Sequence, residues 1–324
     1  SVAFMMLVEQ GLVALDTPVM HVIPEFADLR VGSAGESRPA RSMRMIDLLR
    51  HTSGLTYGLQ RQTAIDARYR EMGLDEFQQK RTSDQFIADL ATLPLEFSPG
   101  ERWNYSVSTD VLGVVIERLA GTDLQSHFER AIFTPLGMED TGFVLPDSKT
   151  ARMTDAWRLE ESGARVPADL GARSGWRRAG CFFSGGGGLV SSVADYHRFA
   201  RMLLRGGELD GTRLLSEETA AAMRTNQLPP DAGVEFDGTQ RSVFTPKRRD
   251  FGIDFAIISD PVAMDSPAGT GTYYWGGAAG TWFWIDPEND LFFIGMIQRF
   301  GARPGEPAGF REESMRLVYE ALEE

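Results

Sequence analysis

The sequence predicts a protein of mixed α/β class (α+β), in which an antiparallel sheet flanked by helices adjoins a mostly helical region. Two observations predict this class. Runs rich in aromatic and β-branched residues, separated by turns, occupy the last quarter of the chain and precede a closing helix. Most of the earlier sequence instead shows helical periodicity. Strands that follow one another directly and end in a helix favour an antiparallel sheet covered by helices.

The helices are predicted from apolar residues that recur on one face and from glycines that end the segments. The opening segment already has helical spacing and ends near Gly11. The strongest pattern covers 106–119 and stops at Gly121. Further helices are predicted over 45–49 and 83–93, around Phe128 up to Gly137, from Ser191 to Gly206, and over 217–223. We interpret 56–80 as a polar excursion from the core and 147–180 as loop-rich.

The predicted strands cover 251–258, 273–278, 281–285 and 291–297. Acidic residues and a proline at 286–290 predict a turn between the last two strands. The closing helix is predicted from apolar residues three and four positions apart, which are Met315, Val318, Tyr319 and Leu322.

No internal repeat and no low-complexity linker divides the 324 residues, so we expect one unit over 1–324. The chain begins at helical spacing without a preceding cap or loop, and we therefore expect the unit to be incomplete at its N-terminus. Within it we expect a mostly helical subdomain over about 45–180 and an α/β subdomain over about 1–44 and 181–324.

Composition and charge exclude several classes of function. The formal net charge is −13 and no basic stripe is visible, which argues against a nucleic-acid partner. No apolar run approaches the roughly 20 residues that span a bilayer, so no membrane partner is expected. A single cysteine, Cys181, cannot form an internal disulfide or a cysteine-based metal site. We expect a cytoplasmic protein, and the sequence leaves its oligomeric state open.

The motifs of nucleotide-dependent and metal-dependent enzymes are absent from the sequence. It contains no Gly-x-x-x-x-Gly-Lys phosphate loop, and the glycines at 185–188 lack the third glycine of a dinucleotide fingerprint. The four histidines are far apart and form no His-Glu-x-x-His pattern. We therefore expect no cofactor and no metal ion. The absence of Gly-x-Ser-x-Gly also argues against an α/β-hydrolase.

Two segments have a functional interpretation beside a structural one. Tyr105 directly precedes the strongest predicted helix, where a buried tyrosine could simply fix the start of the helix. Residues 269–282 combine glycines with aromatic residues, which is typical of a weakened edge strand. The same glycines would let a substrate lie along the strand and would leave backbone N–H groups for an oxyanion.

Five segments carry a resemblance through their order and spacing: Glu9-Gln10-Gly11, His51-Thr52-Ser53-Gly54-Leu55, Tyr105-Ser106-Val107, Ser184-Gly185-Gly186-Gly187-Gly188-Leu189 and Trp275-Gly276-Gly277. Together they resemble the serine β-lactamase-like superfamily. The likeness is closest to its family VIII carboxylesterases, which are relatives of class C β-lactamases and penicillin-binding proteins. It extends over essentially the whole chain. The resemblance implies a β-lactamase/transpeptidase-like fold, a single catalytic unit and a small-molecule ester as partner.

The resemblance also implies roles for individual residues. Enzymes of this kind act through a Ser-x-x-Lys nucleophile, a tyrosine and a glycine-rich strand. Tyr105 would be the general base, helped by a lysine cation because a free tyrosine has a pKa near ~10. Trp275, Gly276 and Gly277 would line the acyl site. Ala278 would donate one backbone N–H to the oxyanion, and the nucleophilic serine would donate the other.

The chain departs from this family in one respect. No serine has a lysine three positions later, and Lys80, Lys149 and Lys247 lie in unrelated contexts. In the family the Ser-x-x-Lys motif lies about two helical turns before the position of Ser1. We therefore expect the nucleophile upstream of Ser1, and the alternative is a natural pseudoenzyme. The segments 51–54 and 184–189 are interpreted as markers of the fold, with contact to the substrate as the alternative.

Two positions indicate the substrate class. Val107 stands where the β-lactamases have an asparagine, and it offers no hydrogen bond. Trp275 stands where they have a lysine that pairs with the β-lactam carboxylate, and indole carries no charge. The resemblance therefore implies a serine-dependent carboxylesterase, a serine hydrolase that acts on short neutral carboxylic esters through an acyl-enzyme. The alternatives are an acyltransferase or weak β-lactamase of the same fold, and a non-catalytic protein that binds a ligand.

Overall fold

The computed structural model describes residues 1–32, 37–76, 79–160, 162–178, 180–230, 232, 250–300 and 309–323. The α-helices are α1 (Val2–Glu9), α2 (Met45–Leu49), α3 (Ala64–Met72), α4 (Ser83–Ala91), α5 (Ser108–Ala120), α6 (Leu124–Phe128), α7 (Thr134–Leu136), α8 (Val193–Leu204), α9 (Glu217–Met223) and α10 (Phe310–Glu323). A π-helical segment, Glu129–Phe133, joins α6 to α7.

The strands are β1 (Arg30–Val31), β2 (Arg38–Pro39), β3 (Ala156–Leu159), β4 (Arg165–Asp169), β5 (Glu208–Leu209), β6 (Thr212–Arg213), β7 (Asp250–Phe251), β8 (Ala256–Ile258), β9 (Thr272–Gly276), β10 (Trp282–Asp286), β11 (Leu291–Gly295) and β12 (Arg299–Phe300). The main sheet is antiparallel, with the strand order β11-β10-β9-β8-β7. A smaller sheet has the order β12-β3-β4, and β12 runs parallel to β3. The mixed α/β class and the antiparallel sheet predicted from the sequence are confirmed.

Capping residues explain where several helices begin and end. The hydroxyls of Thr63, Thr82 and Ser192 each accept a hydrogen bond from the backbone N–H three residues further on. Gly121 and Gly137 follow α5 and α7 with φ of 65°, in the left-handed region that glycine tolerates best. Because these signals are local, the sequence predicts most of the helix boundaries closely.

Alternate residues of β10 contact two different layers of helix. Phe283 packs against Tyr196 of α8, with ring centroids 5.4 Å apart. Trp284 stacks on Tyr319 of α10, with centroids 5.6 Å apart. Since successive side chains of a strand point to opposite faces, α8 and α10 cover opposite faces of the main sheet. The larger cluster of buried apolar residues runs from α1 through α5 to the α8 face.

Asp286, at the end of β10, is fully buried and connects three parts of the α10 layer. Its carboxylate accepts hydrogen bonds from the Gly269 N–H and from the side-chain amide of Asn289, each 2.8 Å long. The hydroxyl of Tyr319 donates a third hydrogen bond to it. One carboxylate therefore joins the loop before β9, the β10–β11 turn and α10.

Two sequence interpretations of local structure are wrong in detail. The predicted strand 251–258 is a hairpin of β7 and β8, because Asp254 has a φ of 58° that turns the chain. The supposed excursion from the core at 56–80 contains α3, which places Ile65 and Tyr69 in the core. The stretch 147–180, interpreted as mixed and loop-rich, contains β3 and β4 between its loops. The third strand of that sheet, β12, lies far along the chain, so no local pattern indicates the pairing.

The predicted division into a helical subdomain over about 45–180 and an α/β subdomain over about 1–44 and 181–324 stays a prediction. Within the described ranges, no helix has both the length and the apolar character that crossing a bilayer requires.

Candidate active site

A cavity of about 1830 Å³ lies between the main sheet and the helices. Five of the predicted site residues line it: Tyr105, Trp275, Gly276, Gly277 and Ala278. The sequence segments around Tyr105 and around the Trp-Gly-Gly motif are therefore brought together from distant parts of the chain.

Val107 is the predicted site residue that the structure does not bring to the cavity. It immediately precedes α5, and its side chain is fully buried in the larger apolar cluster. It is not one of the residues that line the cavity. The side chain is used for packing at the start of the helix, so it lies behind the wall that a substrate would touch.

Tyr105 precedes α5 and is surrounded by aromatic rings. Its ring centroid lies 4.9 Å from those of His51 and Tyr57 and 5.4 Å from that of Trp275. Burial raises the pKa of Tyr105 to about 12, although the neighbouring side chains of Trp275 and Tyr57 act in the opposite direction. A phenolate at neutral pH therefore requires a cation beside this residue.

A buried carboxyl group lies near this tyrosine, in the first turn of α5. Asp110 accepts a hydrogen bond from the Ser184 hydroxyl at 2.5 Å and another from the Gly186 N–H at 3.2 Å. Burial raises the pKa of Asp110 to about 6, and the two hydrogen bonds oppose that rise. The charge of Asp110 in turn raises the pKa of Tyr105. The acidity of the tyrosine is therefore linked to the protonation of Asp110.

The glycine run that follows Ser184 is required by close packing against α5. A Cβ on Gly185 would lie 2.2 Å from the carbonyl oxygen of Thr109, and a Cβ on Gly186 would lie 2.8 Å from the Asp110 carboxylate. Residues 185–188 also line the cavity. The run is therefore part of the wall of the site as well as the fold marker that the sequence indicated.

Strand β9 forms the opposite wall, and its cavity end is almost free of side chains. Strand β8 pairs with β9 only at positions 272–274, so the strand edge beyond them has no partner in β8. The Gly277 N–H donates to the Thr281 carbonyl at 2.7 Å, and the Gly280 N–H donates to the Gly277 carbonyl at 3.0 Å. These bonds close a tight turn that presents Ala278, an exposed residue, to the cavity.

Two ionisable residues in strained backbone conformations meet behind Tyr105. His51 and Asp254 have φ of 54° and 58°, in the left-handed region that non-glycine residues rarely adopt. Nε2 of His51 lies 3.7 Å from Oδ1 of Asp254, whose carboxylate also accepts a hydrogen bond from the Ser1 hydroxyl. Burial lowers the pKa of His51 to about 3 and raises the pKa of Asp254 to about 7. The imidazole is therefore neutral at physiological pH.

The described residues place no lysine beside Tyr105. Lys80 and Lys149 do not line the cavity, and Lys247 lies outside the described residues. Lys149 instead pairs with Asp140, with a nitrogen–oxygen distance of 2.8 Å. The basic side chains that do line the described part of the cavity are arginines, at positions 61 and 102.

The sequence profile of a protein family described as Beta-lactamase matches residues 1–314, nearly the whole chain. The chain belongs to the beta-lactamase family. The resemblance predicted from five short segments is thereby confirmed, and the expected β-lactamase/transpeptidase-like fold is confirmed with it. Within a beta-lactamase-family fold, the tyrosine before α5 and the glycine-rich end of β9 face one cavity.

Several relatives of this beta-lactamase-family chain are similar over most of their length. Protein Rv1367c of Mycobacterium tuberculosis is 35% identical over 309 residues, which cover 91% of this chain and 74% of that protein. Esterase EstB of Burkholderia gladioli is 32% identical over 299 residues, with 87% and 70% covered. The solved structure of EstCE1, described as a hydrolase with promiscuous acyltransferase activity, has a TM-score of 0.80 at 26% identity, with 98% of this chain and 81% of that chain covered.

Sequence reasoning missed Tyr57, Asp110 and Asp254 as neighbours of the tyrosine. Tyr57 follows the segment 51–55 by two residues, and this proximity was the one local signal available. Asp110 follows Tyr105 by five residues, but nothing in the sequence assigned it a role beside the tyrosine. Asp254 becomes a neighbour only through tertiary contacts, so no spacing rule could have found it. In the described part of this beta-lactamase-family chain, no group of three or more histidine, cysteine, aspartate or glutamate residues could hold a metal ion.

Proposed function

We propose that the protein is a serine-dependent carboxylesterase that hydrolyses short neutral carboxylic esters through an acyl-enzyme. The observation that carries this proposal is the position of Tyr105. Its ring lies 5.4 Å from that of Trp275, and it lines the same cavity as the glycine-rich end of β9. A proton acceptor and a row of backbone N–H groups are the two elements that acyl transfer needs beside a nucleophile. Esterase EstB, a relative by sequence, supports the same class.

We place the nucleophile in a Ser-x-x-Lys motif that precedes Ser1. Ser1, Val2 and Ala3 line the cavity at the start of α1, so a helical turn before them would continue along the same wall. The lysine of that motif would supply the cation that the described lining lacks. A cation next to Tyr105 would lower its pKa from about 12 toward the range in which a phenolate can act as a base.

The proposed reaction proceeds in two similar steps. Tyr105 takes the proton of the serine hydroxyl while the serine oxygen bonds to the ester carbonyl carbon, and the carbonyl oxygen becomes an oxyanion. The C–O bond to the alcohol then breaks, and the departing alkoxide receives the proton from Tyr105. Water attacks the acyl-enzyme by the same route and releases the carboxylic acid and the free serine.

The oxyanion would be held by the backbone at the end of β9. The Gly277 N–H points toward β10, where it donates to Thr281. The Gly277 carbonyl, which shares a trans peptide with the Ala278 N–H, accepts from the Gly280 N–H, so the Ala278 N–H points the opposite way. We place it toward the cavity, which Ala278 lines. One such donor is typically worth about 10²–10³ in kcat. The second donor would be the N–H of the nucleophilic serine.

The preference for neutral esters rests on Trp275. Indole has one hydrogen-bond donor and no charge, and here the indole lies against the ring of Tyr105, with centroids 5.4 Å apart. It therefore cannot pair with a substrate carboxylate as the lysine of a β-lactamase does. Short apolar acyl groups fit beside such a wall. Each extra methylene of the acyl chain would change the transition-state binding free energy by only about 1–3 kcal/mol.

Transfer of the acyl group to an alcohol other than water is the second candidate activity. The relative EstCE1 is described as having promiscuous acyltransferase activity. The cavity, at about 1830 Å³, exceeds the roughly 300–1,000 Å³ of common ligand pockets and leaves room for a second substrate. Hydrolysis and transfer share the acyl-enzyme and differ only in the molecule that attacks it.

The test uses the protein expressed from its complete reading frame. We expect an alkyl fluorophosphonate to add one phosphonyl group to a serine, as measured by intact mass and peptide mapping. We also expect kcat/KM for p-nitrophenyl butyrate to exceed kcat/KM for a cephalosporin on the same preparation by at least about 100-fold, because an apolar site cannot replace the lost carboxylate anchor.

Heat-unfolded protein serves as the control for labelling. Each of the following outcomes would favour one of the alternative functions. A labelled serine with product formed mainly by transfer to an added alcohol would favour the acyltransferase, and equal efficiency on the cephalosporin would favour a β-lactamase. If the folded protein binds esters but is neither labelled nor active, it is a ligand-binding pseudoenzyme. The 324-residue chain expressed alone is expected to be inactive, and turnover at the rate of the longer protein would overturn the placement of the nucleophile.

A further inference from the structure

The turn after β9 is held by an arginine from a distant helix. The guanidinium of Arg311, near the start of α10, donates to the carbonyl oxygen of Gly277 at 3.1 Å and to that of Thr281 at 3.2 Å. These are the two residues that bracket the turn, because the Gly277 N–H itself donates to the Thr281 carbonyl. One planar group therefore joins both ends of the turn that presents Ala278 to the cavity.

The space for this guanidinium exists because residue 276 is a glycine. A Cβ on Gly276 would lie 2.4 Å from Cζ of Arg311, closer than any real contact allows. The conformation of Gly276 does not require glycine, since its φ is not in the left-handed region. The missing side chain at this position is thus explained by the arginine above it, independently of any substrate.

The arginine is well anchored on its own side. Helix α10 is attached to the sheet by the Trp284–Tyr319 stack and by a hydrogen bond of 3.2 Å from the Trp282 indole to the Ser314 hydroxyl. Burial lowers the pKa of Arg311, yet a guanidinium remains charged in proteins. A charged donor is stronger than a neutral one, so it can fix the orientation of the carbonyl groups that it contacts.

We propose that Arg311 is a positioning residue that holds the β9–β10 turn in the conformation in which the Ala278 N–H faces the oxyanion. This proposal rests on the proposed function, because it assigns a purpose to the turn of that same site. An oxyanion donor helps only if it is already oriented when the charge develops. Loss of the clamp would let the peptide between Gly277 and Ala278 rotate, which weakens the transition state more than the bound substrate.

The first experiment is a double-mutant cycle in the complete protein with Arg311→Ala and Gly276→Ala. We expect Arg311→Ala to lower kcat by about 10–100-fold, which is less than the effect of removing an oxyanion donor altogether. KM should change by less than about threefold. Gly276→Ala should give a similar loss, because its methyl group displaces the guanidinium. The double variant should be no worse than Arg311→Ala alone, since the two changes remove the same interaction.

Two further variants control for fold and charge. Arg316→Ala removes an exposed arginine of the same helix that pairs with Glu313 and Glu320, and it should leave kcat unchanged. Arg311→Lys keeps one charged donor and should recover part of the lost rate. Gly276→Ala leaves α10 unaltered and remains informative if Arg311→Ala fails to fold.

A second readout is independent of activity, so failure of the clamp and failure of the proposed function can be told apart. Amide hydrogen exchange, followed by mass spectrometry of the peptide that contains residues 277–281, should be faster in Arg311→Ala and unchanged in Arg316→Ala. Unchanged exchange and unchanged kcat in folded Arg311→Ala would overturn the proposal. The proposal would also be overturned if Gly276→Ala lowered kcat as much in the Arg311→Ala background as in the wild type. The glycine would then affect the substrate directly and not through Arg311.

Discussion

The two walls of the cavity supply different kinds of group. The tyrosine wall is formed by Tyr57, Tyr105 and the glycines at 185–188, and the buried Asp110 lies behind it. Burial raises the pKa values of these two tyrosines and of Asp110. The strand wall, residues 275–278, offers backbone and a single large side chain, Trp275. On the first wall, the protein controls proton affinity through packing. On the second wall, it controls the direction of N–H groups.

This difference implies different sensitivities to substitution. A proton acceptor is lost when one oxygen atom is removed, whatever happens to the backbone. A backbone donor is kept in every change of its own side chain except a change to proline, and it is otherwise affected through the neighbours that orient it. We therefore expect the largest effects from the tyrosine wall, and smaller, indirect ones from the strand wall.

Tyr105→Phe in the complete protein tests the tyrosine wall directly. We expect kcat for an ester substrate to fall by about 10²–10⁴-fold, because general-base assistance typically contributes that much, while the fold is kept. Tyr69→Phe is the matched control. Tyr69 is a buried tyrosine outside the cavity lining, hydrogen-bonded to the backbone of Thr56, and its loss should lower the melting temperature without lowering kcat. Near-normal kcat in folded Tyr105→Phe would return that residue to a purely structural role.

Asp254→Asn tests how much the buried carboxyl group behind Tyr105 lowers the free energy of unfolding. The pKa of Asp254 rises from 3.8 to about 7 on folding, so the folded state holds a proton that the unfolded state has released. The contribution of this group to stability therefore falls as pH rises from about 4 to 7. At pH 8 the variant should be more stable than wild type by about 2–4 kcal/mol, and near pH 4 the two should be equal.

The measurement is the free energy of unfolding in urea at several pH values. Asp28→Asn, at an exposed aspartate, is the control and should follow the wild-type curve. A difference between Asp254→Asn and wild type that is constant with pH would contradict a raised pKa of Asp254 in the folded protein.

Trp275→Phe tests the one side chain that connects the two walls. The side chain of Trp275 lowers the pKa of Tyr105, so removal of the indole N–H should raise that pKa further. We expect kcat/KM to fall by about 10-fold, the loss of one moderate hydrogen bond, and its acid limb to move to higher pH. Trp157→Phe, at a half-exposed tryptophan outside the cavity lining, should change neither. A lower kcat/KM with an unshifted pH profile would mean that Trp275 acts through packing alone.

The sequence predicts most of the helices because their signals are local. Gly121 and Ser192 indicate where α5 ends and where α8 begins, and the structure agrees within about two residues. Helix α3 escaped prediction because its residues are mostly polar, although Thr63 and Asp66 form a capping box that could have revealed it. The pairing of strands that are far apart in the chain, such as β3 and β12, has no comparable local signal in the sequence.

The site is predictable to the extent that its residues carry a family motif. Tyr105 and Trp275 were found from short motifs, and they lie in one cavity. Asp110 and Arg311 were not found, because each acts on the site through a contact that only the folded chain creates. Val107 occupies a motif position, but its side chain packs in the core.

The junction at Asp286 has a consequence for the order of events during synthesis. Its partner Tyr319 follows 33 residues later. Because synthesis proceeds at about 5–20 residues per second, Tyr319 is added roughly 2–7 seconds after Asp286. Until α10 has left the ribosome, the Asp286 carboxylate lacks this partner and the turn at Ala278 lacks Arg311. Under the proposed function, a nascent chain would therefore carry an unfinished oxyanion site, and esterase activity on ribosome-bound chains would report that α10 has docked.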